Sequence, residues 1–118
     1  MAGWQVEPVS DSTRLDSSGN GIQGERTVTI RNRYGLHARP AAEFVKLSSK
    51  FTSDISVEKD GLEVNGKSIM GVMMLAAECG SKLKIRAIGE DAVEAVEALA
   101  ILVRGQFGET ESQYEIEN

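Results

Sequence analysis

Four segments of the chain alternate between apolar and polar residues, a pattern typical of half-buried β-strands. They cover residues 27–30, 55–58, 62–65 and 82–87. The pair Asp60-Gly61 separates the second segment from the third and predicts a tight hairpin turn between them. Because each strand has one apolar face, we expect one side of the resulting sheet to be covered.

Helical segments lie between these strands. A helix is predicted over 38–49, with Pro40 in its first turn, where a missing N–H group is tolerated. Ser68 is a good cap for a second helix that runs to residue 77, and Gly80 is its predicted stop.

A third helix begins after Asp91, which together with Glu94 resembles a capping box, and ends at Gly105. The element order is therefore βαββαβα. It predicts an α+β fold, a two-layer open-faced sandwich in which three helices cover one face of a four-stranded antiparallel sheet.

The 118 residues suffice for one domain with one core. Residues 1–25 are rich in Ser, Gly and Asp without any period, and we interpret them as a disordered N-terminal extension. The domain itself is expected to span 26–108. Residues 109–118 would form an acidic C-terminal tail.

Composition excludes several classes of protein. The net charge of −5 argues against nucleic acid as a partner, although the middle of the chain is mildly basic. There is no apolar stretch long enough for membrane insertion and no secretory signal, so the expected compartment is the cytoplasm. The single cysteine, Cys79, cannot form an internal disulfide and is expected to be a buried, inert thiol.

The only histidine, His37, lies directly before the first predicted helix. The first N–H groups of a helix lack internal partners and attract anions, and Arg39 adds a positive charge suited to phosphate oxygens. These surroundings are expected to keep the imidazole neutral and nucleophilic, and also to stabilise a phosphoryl group attached to it.

Other interpretations of His37 remain open on this local pattern. The residue could simply cap the helix. An autonomous enzyme that uses His37 as an acid or base is disfavoured, because no partner residues for a catalytic set can be identified. A metal site is disfavoured too, and no cofactor is expected.

The second helix is apolar almost all round. At 100° per residue, Val72, Leu75 and Ala76 share one side, which we assign to the core. Ile69, Met70 and Met73 fall on the other side and predict a partner-binding surface, unless a loop or the N-terminal extension covers them.

Two motifs carry a resemblance to a known family. Residues 35–41, GLHARPA, resemble the active-site motif of HPr, the histidine-containing phosphocarrier of the bacterial phosphotransferase system. Residues 67–73, KSIMGVM, resemble the family's second motif, around its regulatory serine. The resemblance covers about residues 26–108, and His37 and Ser68 stand 31 positions apart as in the family.

The resemblance implies a role for each matching residue. His37 would accept a phosphoryl group from enzyme I, stabilised by Arg39 and by the backbone N–H groups of Ala38 and Arg39, and pass it to IIA domains. Ser68 would be phosphorylated by the HPr kinase/phosphorylase. A set of apolar side chains would contact the partners: Ile69, Met70 and Met73.

The resemblance further implies a carrier that is not an enzyme and is a monomer. The presence of His37 separates the chain from regulatory paralogues that lack the active-site histidine. An alternative role stays open, a mainly regulatory binding module controlled through Ser68, in either a nitrogen-related or a catabolite-control branch.

Overall fold

The computed structural model describes residues 11–15 and 22–109. The five strands are β1 (Asp11–Leu15), β2 (Ile22–Thr29), β3 (Asp54–Lys59), β4 (Leu62–Asn65) and β5 (Lys82–Gly89). The three helices are α1 (Ala38–Ser48), α2 (Ile69–Met74) and α3 (Ala92–Arg104), and a 3₁₀ turn follows at Gln106–Gly108.

The strands form one antiparallel sheet in the order β1-β2-β5-β3-β4. The central strand β5 buries Leu83, Ile85 and Ala87 on the inner face, whereas Lys84 and Arg86 lie on the outer face. Helix α3 packs on this inner face through a stripe of small and branched residues: Ala92, Ala95, Val96, Leu99, Ala100 and Val103. The predicted α+β, open-faced, antiparallel architecture is confirmed.

The hairpin turn is also confirmed. Asp60 and Gly61 both have positive φ angles, of 52° and 89°, as a two-residue turn between right-handed twisted strands requires. The turn sets the register of β3 and β4, in which Lys59 pairs with Leu62.

Strand β1 and the first four residues of β2 lie within the segment predicted to be disordered, so that prediction is wrong for residues 11–15 and 22–25. Strand β2 begins at Ile22 instead of Thr27. Its inner face carries Gly24, where a Cβ would lie 3.0 Å from the Ala92 carbonyl oxygen, and Arg26, which pairs with Glu97 of α3 at 2.8 Å. Neither residue type signals a buried strand face. Residues 1–10, 16–21 and 110–118 lie outside the described residues.

Helix α2 ends at Met74, three residues before the predicted end. The chain turns at Ala76, which has a φ of 49°, and this turn buries Ala77 while leaving Ala76 exposed. The assignment of Ala76 to the core is therefore wrong. The assignment of Val72 and Leu75, 1% and 3% exposed, is confirmed.

The capping box predicted at the start of α3 does not form. Asp91 occupies the N-cap position but makes no side-chain cap bond. Its carboxylate instead accepts hydrogen bonds from the backbone N–H groups of Thr52 and Ser53, at 2.9 and 3.0 Å, and from the Ser53 hydroxyl. Asp91 thus ties the loop after α1 to the start of α3.

These contacts shift the ionisation of Asp91. Partial burial alone would raise the pKa of its carboxyl, but the hydrogen bonds from Ser53 and Thr52 outweigh burial and lower the pKa from 3.8 to about 2. The charged form is therefore favoured in the folded state, and the stabilisation is present above the unfolded pKa and lost as the pH falls towards the folded one.

We expect Asp91→Asn to lower the free energy of unfolding at neutral pH by about 1 to 2 kcal/mol, since solvent screens part of the effect. The deficit relative to wild type should shrink as the pH falls from about 4 to about 2, the interval between the two pKa values. Urea denaturation at several pH values measures it. Asp60→Asn is the matched control, because the Asp60 side chain is 86% exposed. It should show no pH-dependent deficit in the free energy of unfolding. A deficit for Asp91→Asn that is independent of pH would contradict the assignment.

Candidate functional site

His37 lies at the start of α1. It is the N-cap residue, with an extended backbone (φ −76°, ψ −173°), and its carbonyl accepts the first helical hydrogen bond, from the Ala41 N–H group at 3.0 Å. Its side chain makes no cap hydrogen bond. The imidazole therefore stands beside the first turn of the helix without capping it.

The first turn presents backbone donors beside the imidazole. Ala38 and Arg39 are the first two helical residues, and their N–H groups have no acceptor within the helix. Pro40, the third, has no N–H group and is buried. No acidic residue lies in this turn, and the Arg39 side chain is exposed. The geometry favours an anion beside His37, as the helix dipole and the exposed amides predict.

The imidazole is accessible from solvent, since 36% of the His37 side chain is exposed. The Tyr34 ring meets it edge to face, with the ring centroids 6.4 Å apart and the planes at 84°. Tyr34 is itself 49% exposed and carries the Arg33 guanidinium over its face at 5.3 Å. One side of His37 is thus lined by an aromatic ring, and a partner can still reach the imidazole.

The loop before α1 is held by backbone contacts. The Leu36 N–H group donates to the Ala77 carbonyl at 2.8 Å. Gly35 has a φ of 69°, and a Cβ at this position would lie only 2.4 Å from the Ala77 oxygen. The buried Asn32 side chain donates to the Gly35 carbonyl at 2.7 Å. These contacts fix the loop against the segment that follows α2.

A buried carboxylate approaches the imidazole from the end of the domain. Glu109 is 3% exposed, and both of its carboxylate oxygens lie 3.3 Å from Nε2 of His37. We assigned Glu109 to an acidic tail from the sequence, and for this residue the assignment is wrong. The surroundings expected for His37 were the helix-start amides and Arg39, and the structure adds this carboxylate to them. Because 72 positions separate the two residues, no local pattern connects them.

The apolar surface of α2 has the predicted exposure. Ile69, Met70 and Met73 are 44%, 74% and 39% exposed, and Met74, which was not among the predicted surface residues, is 64% exposed. Helix α2 packs against α1, and the segment directly after α2 meets the loop before α1 at the hydrogen bond from the Leu36 N–H group to the Ala77 carbonyl.

Ser68 forms the predicted N-cap of α2. Its hydroxyl oxygen accepts a hydrogen bond from the Gly71 N–H group at 3.0 Å, and its backbone is extended (φ −116°, ψ 119°). Cys79, by contrast, is exposed, with its sulfur 3.7 Å from the Arg31 carbonyl oxygen. The prediction of a buried thiol is therefore wrong, because α2 ends at Met74 and Cys79 lies in the exposed segment 78–80 that follows the buried Ala77.

Comparison with known proteins identifies the class that this fold and site define. A family model described as "PTS HPr component phosphorylation site" matches residues 24–104. The phosphocarrier protein HPr of Cupriavidus necator is 45% identical over 87 residues, covering 74% of this chain and 98% of the relative. The HPr-like protein Crh of Bacillus subtilis is 50% identical over 80 residues, covering 68% and 94%.

Solved structures agree. The crystal structure of HPr-C-His from Thermoanaerobacter tengcongensis has a TM-score of 0.71 at 52% identity and covers 73% of this chain and 97% of that one. A Crh crystal structure, described as a dimer with a swapping domain, has a TM-score of 0.58 at 51% identity and covers 67% and 91%. The chain belongs to the HPr family of phosphocarriers of the phosphotransferase system.

None of the helices within residues 11–15 and 22–109 has the length and apolar character that a membrane crossing requires.

The contact at Gly35 generates a prediction. We expect Gly35→Ala to lower the free energy of unfolding by about 2 kcal/mol or more, because the positive φ and the clash with the Ala77 oxygen both oppose a Cβ. Gly80→Ala is the matched control, since Gly80 has a φ of 96° but no atom within 4 Å of its Cβ position. That variant should lose only about 1 kcal/mol. Equal losses in urea denaturation would mean that the close approach is unimportant.

Proposed function

We propose that the chain accepts a phosphoryl group on Nδ1 of His37 from phosphorylated enzyme I and passes it to IIA domains. The observation that carries the proposal is the position of His37, at the start of α1, 36% exposed, with the Ala38 and Arg39 amides unpaired within the helix. Phosphoryl transfer depends mainly on positioning and electrostatic stabilisation, and this arrangement supplies both.

Each residue of the site would have a different role in the transfer. The His37 imidazole is the nucleophile. The amides of Ala38 and Arg39 and the Arg39 guanidinium would donate hydrogen bonds to the phosphoryl oxygens. These residues suit a carrier, because they supply an acceptor for the phosphoryl group but no group that would transfer it to a small-molecule substrate. The cytoplasm, where phosphoenolpyruvate and the partner proteins would be available, is the compartment that we propose.

The partner surface is proposed to be the apolar side of α2, formed by Ile69, Met70 and Met73 together with Met74. Methionine side chains adapt to differently shaped partners, which suits a carrier that must bind a donor and several acceptors in turn. The exposure of these side chains beside α1 supports the proposal.

We also propose that the carrier is a monomer. Strand β1 pairs with residues 22–26 of β2, so this part of the β2 edge is covered by the chain itself. The edge strands are then β1 and β4, of five and four residues, and such short strands offer little backbone for pairing with a second copy.

Labelling tests the carrier function. With phosphoenolpyruvate and enzyme I, we expect the wild type to gain one acid-labile phosphoryl group and His37→Ala to gain none, because the acceptor nitrogen is lost. Intact-mass spectrometry measures the gain. Equal labelling of His37→Ala would refute the assignment of the acceptor.

Arg39→Ala should keep the fold but slow labelling at least about tenfold, since it removes a charge-assisted donor to the phosphoryl group. Lys46→Ala is the control, because Lys46 is a basic residue at the opposite end of the same helix. Equal rates for the two variants would remove Arg39 from the site.

A second function, regulation through Ser68, is favoured by a specific observation. Ser68 begins the helix that carries the apolar surface, so a phosphate there would add about −1.5 to −2 charges next to it. Such a charge would be compatible with the helix N-terminus and would change which partners bind.

Incubation with the family's kinase and ATP tests this second function. We expect a gain of one phosphate in the wild type and in His37→Ala, and none in Ser68→Ala. Ser49→Ala, a substitution of an exposed serine at the other end of α1, should be phosphorylated like the wild type. No mass gain in the wild type would count against regulation at Ser68.

A further inference from the structure

Glu109 is held beside His37 by a costly backbone turn. Gln106, Phe107 and Gly108 all have left-handed φ angles, of 60°, 57° and 80°. For the two residues with side chains this conformation is unfavourable, and it persists where the surrounding structure enforces it. The burial of Phe107, 7% exposed, and the hydrogen bond from the Glu109 N–H group to the Gln106 carbonyl at 2.8 Å enforce it here.

The turn delivers a carboxylate with few hydrogen bonds. Oε1 of Glu109 accepts from the Asn32 amide at 3.2 Å and lies 3.3 Å from Nε2 of His37. Oε2 is buried and finds no hydrogen-bond donor among the described residues, although it too is 3.3 Å from Nε2. Asp91, which has a structural role, accepts three hydrogen bonds from Thr52 and Ser53.

The difference in hydrogen bonding between Asp91 and Glu109 indicates a difference in role. A buried carboxylate that only supported the fold would be expected to have its oxygens satisfied, because an unpaired buried polar atom is destabilising. Glu109 instead directs both oxygens at one ring nitrogen of the residue that the fold exposes at the start of α1.

We infer that Glu109 is a positioning residue that accepts a hydrogen bond from the Nε2–H group of His37 and thereby leaves the lone pair on Nδ1. The inference rests on the proposed function of His37. In a neutral imidazole one nitrogen donates and the other accepts, so an acceptor fixed at Nε2 decides which nitrogen is nucleophilic. The contact also fixes the plane of the ring.

The carboxylate also balances charge during transfer. The Nδ1 lone pair forms the bond to phosphorus while the bond from phosphorus to the donor breaks, and the electron pair leaves with the donor. The proton stays on Nε2, so the ring becomes positively charged as the new bond forms. Glu109 lies 3.3 Å from Nε2, the ring nitrogen that does not carry the phosphoryl group. In the proposed transfer Arg39 and the amides of the first turn would face the phosphoryl oxygens on Nδ1.

Asn32 supports the arrangement from the loop. Its side-chain amide donates both to Glu109 Oε1 and to the Gly35 carbonyl, so one buried side chain links the carboxylate to the turn that precedes His37. Second contacts of this kind orient the groups that act on a histidine.

Two measurements test Glu109. The first is ¹H–¹⁵N NMR of the His37 ring in the unphosphorylated protein at a pH where the ring is neutral. We expect a slowly exchanging Nε2–H resonance in the wild type, its loss in Glu109→Ala, and its retention in Glu109→Gln, whose amide oxygen can still accept. The second is the rate of phosphoryl transfer, which should fall about tenfold in Glu109→Ala and be partly rescued in Glu109→Gln.

Glu90→Gln is the matched control, because Glu90 is exposed and lies before α3, at the other end of that helix from Glu109. It should behave as the wild type in both measurements. A wild-type spectrum and rate for Glu109→Ala would overturn the inference. If no variant is phosphorylated, wild type included, the proposed function fails, whereas the NMR result still decides whether Glu109 holds the ring.

Discussion

The site depends on the close approach between the Gly35 loop and the chain after α2. Gly35 has no room for a Cβ atom, and the Leu36 N–H group donates to the Ala77 carbonyl at 2.8 Å. Helix α1 begins two residues later, so this contact fixes the position of the Ala38 and Arg39 N–H groups, which have no acceptor within the helix. It also links the loop of the imidazole to the helix of the apolar surface, and one backbone junction therefore positions both parts of the proposed function.

Groups of opposite charge contact or lie near His37. The amides of Ala38 and Arg39 belong to the first turn of α1 and favour an anion, and the exposed Arg39 side chain brings a positive charge to the same turn. The buried Glu109 carboxylate faces Nε2. A site with positive groups alone would stabilise the phosphoryl group but would oppose the charge that the ring acquires on phosphorylation. In the proposed transfer the carboxylate would remove this conflict, because each charge that develops would meet an opposite one.

The sequence predicted what local patterns can encode. The alternation of β3, β4 and β5, the Asp60-Gly61 turn and the helix start at Ala38 all depend on neighbouring residues, and the structure confirms them. Predictions went wrong where distant partners decide. The sequence does not reveal the inner face of β2, because Gly24 and Arg26 fit there only through their contacts with α3. Asp91 does not cap its own helix, because its carboxylate accepts hydrogen bonds from the Thr52 and Ser53 amides. Glu109 belongs to the same class, since its role arises from a left-handed turn and a contact across the fold.

The two proposed phosphorylation positions differ in one respect that the backbone makes plain. His37 and Ser68 are both N-cap residues, but only Ser68 uses its side chain to cap its helix, through the Gly71 N–H group. A phosphoryl group on His37 would therefore supply acceptors to amides that no side chain of the N-cap residue satisfies. On Ser68 it would alter an existing cap beneath the apolar surface. The first modification would complete a helix end, which suits reversible carriage, whereas the second would change the start of the helix that partners would contact, which suits control.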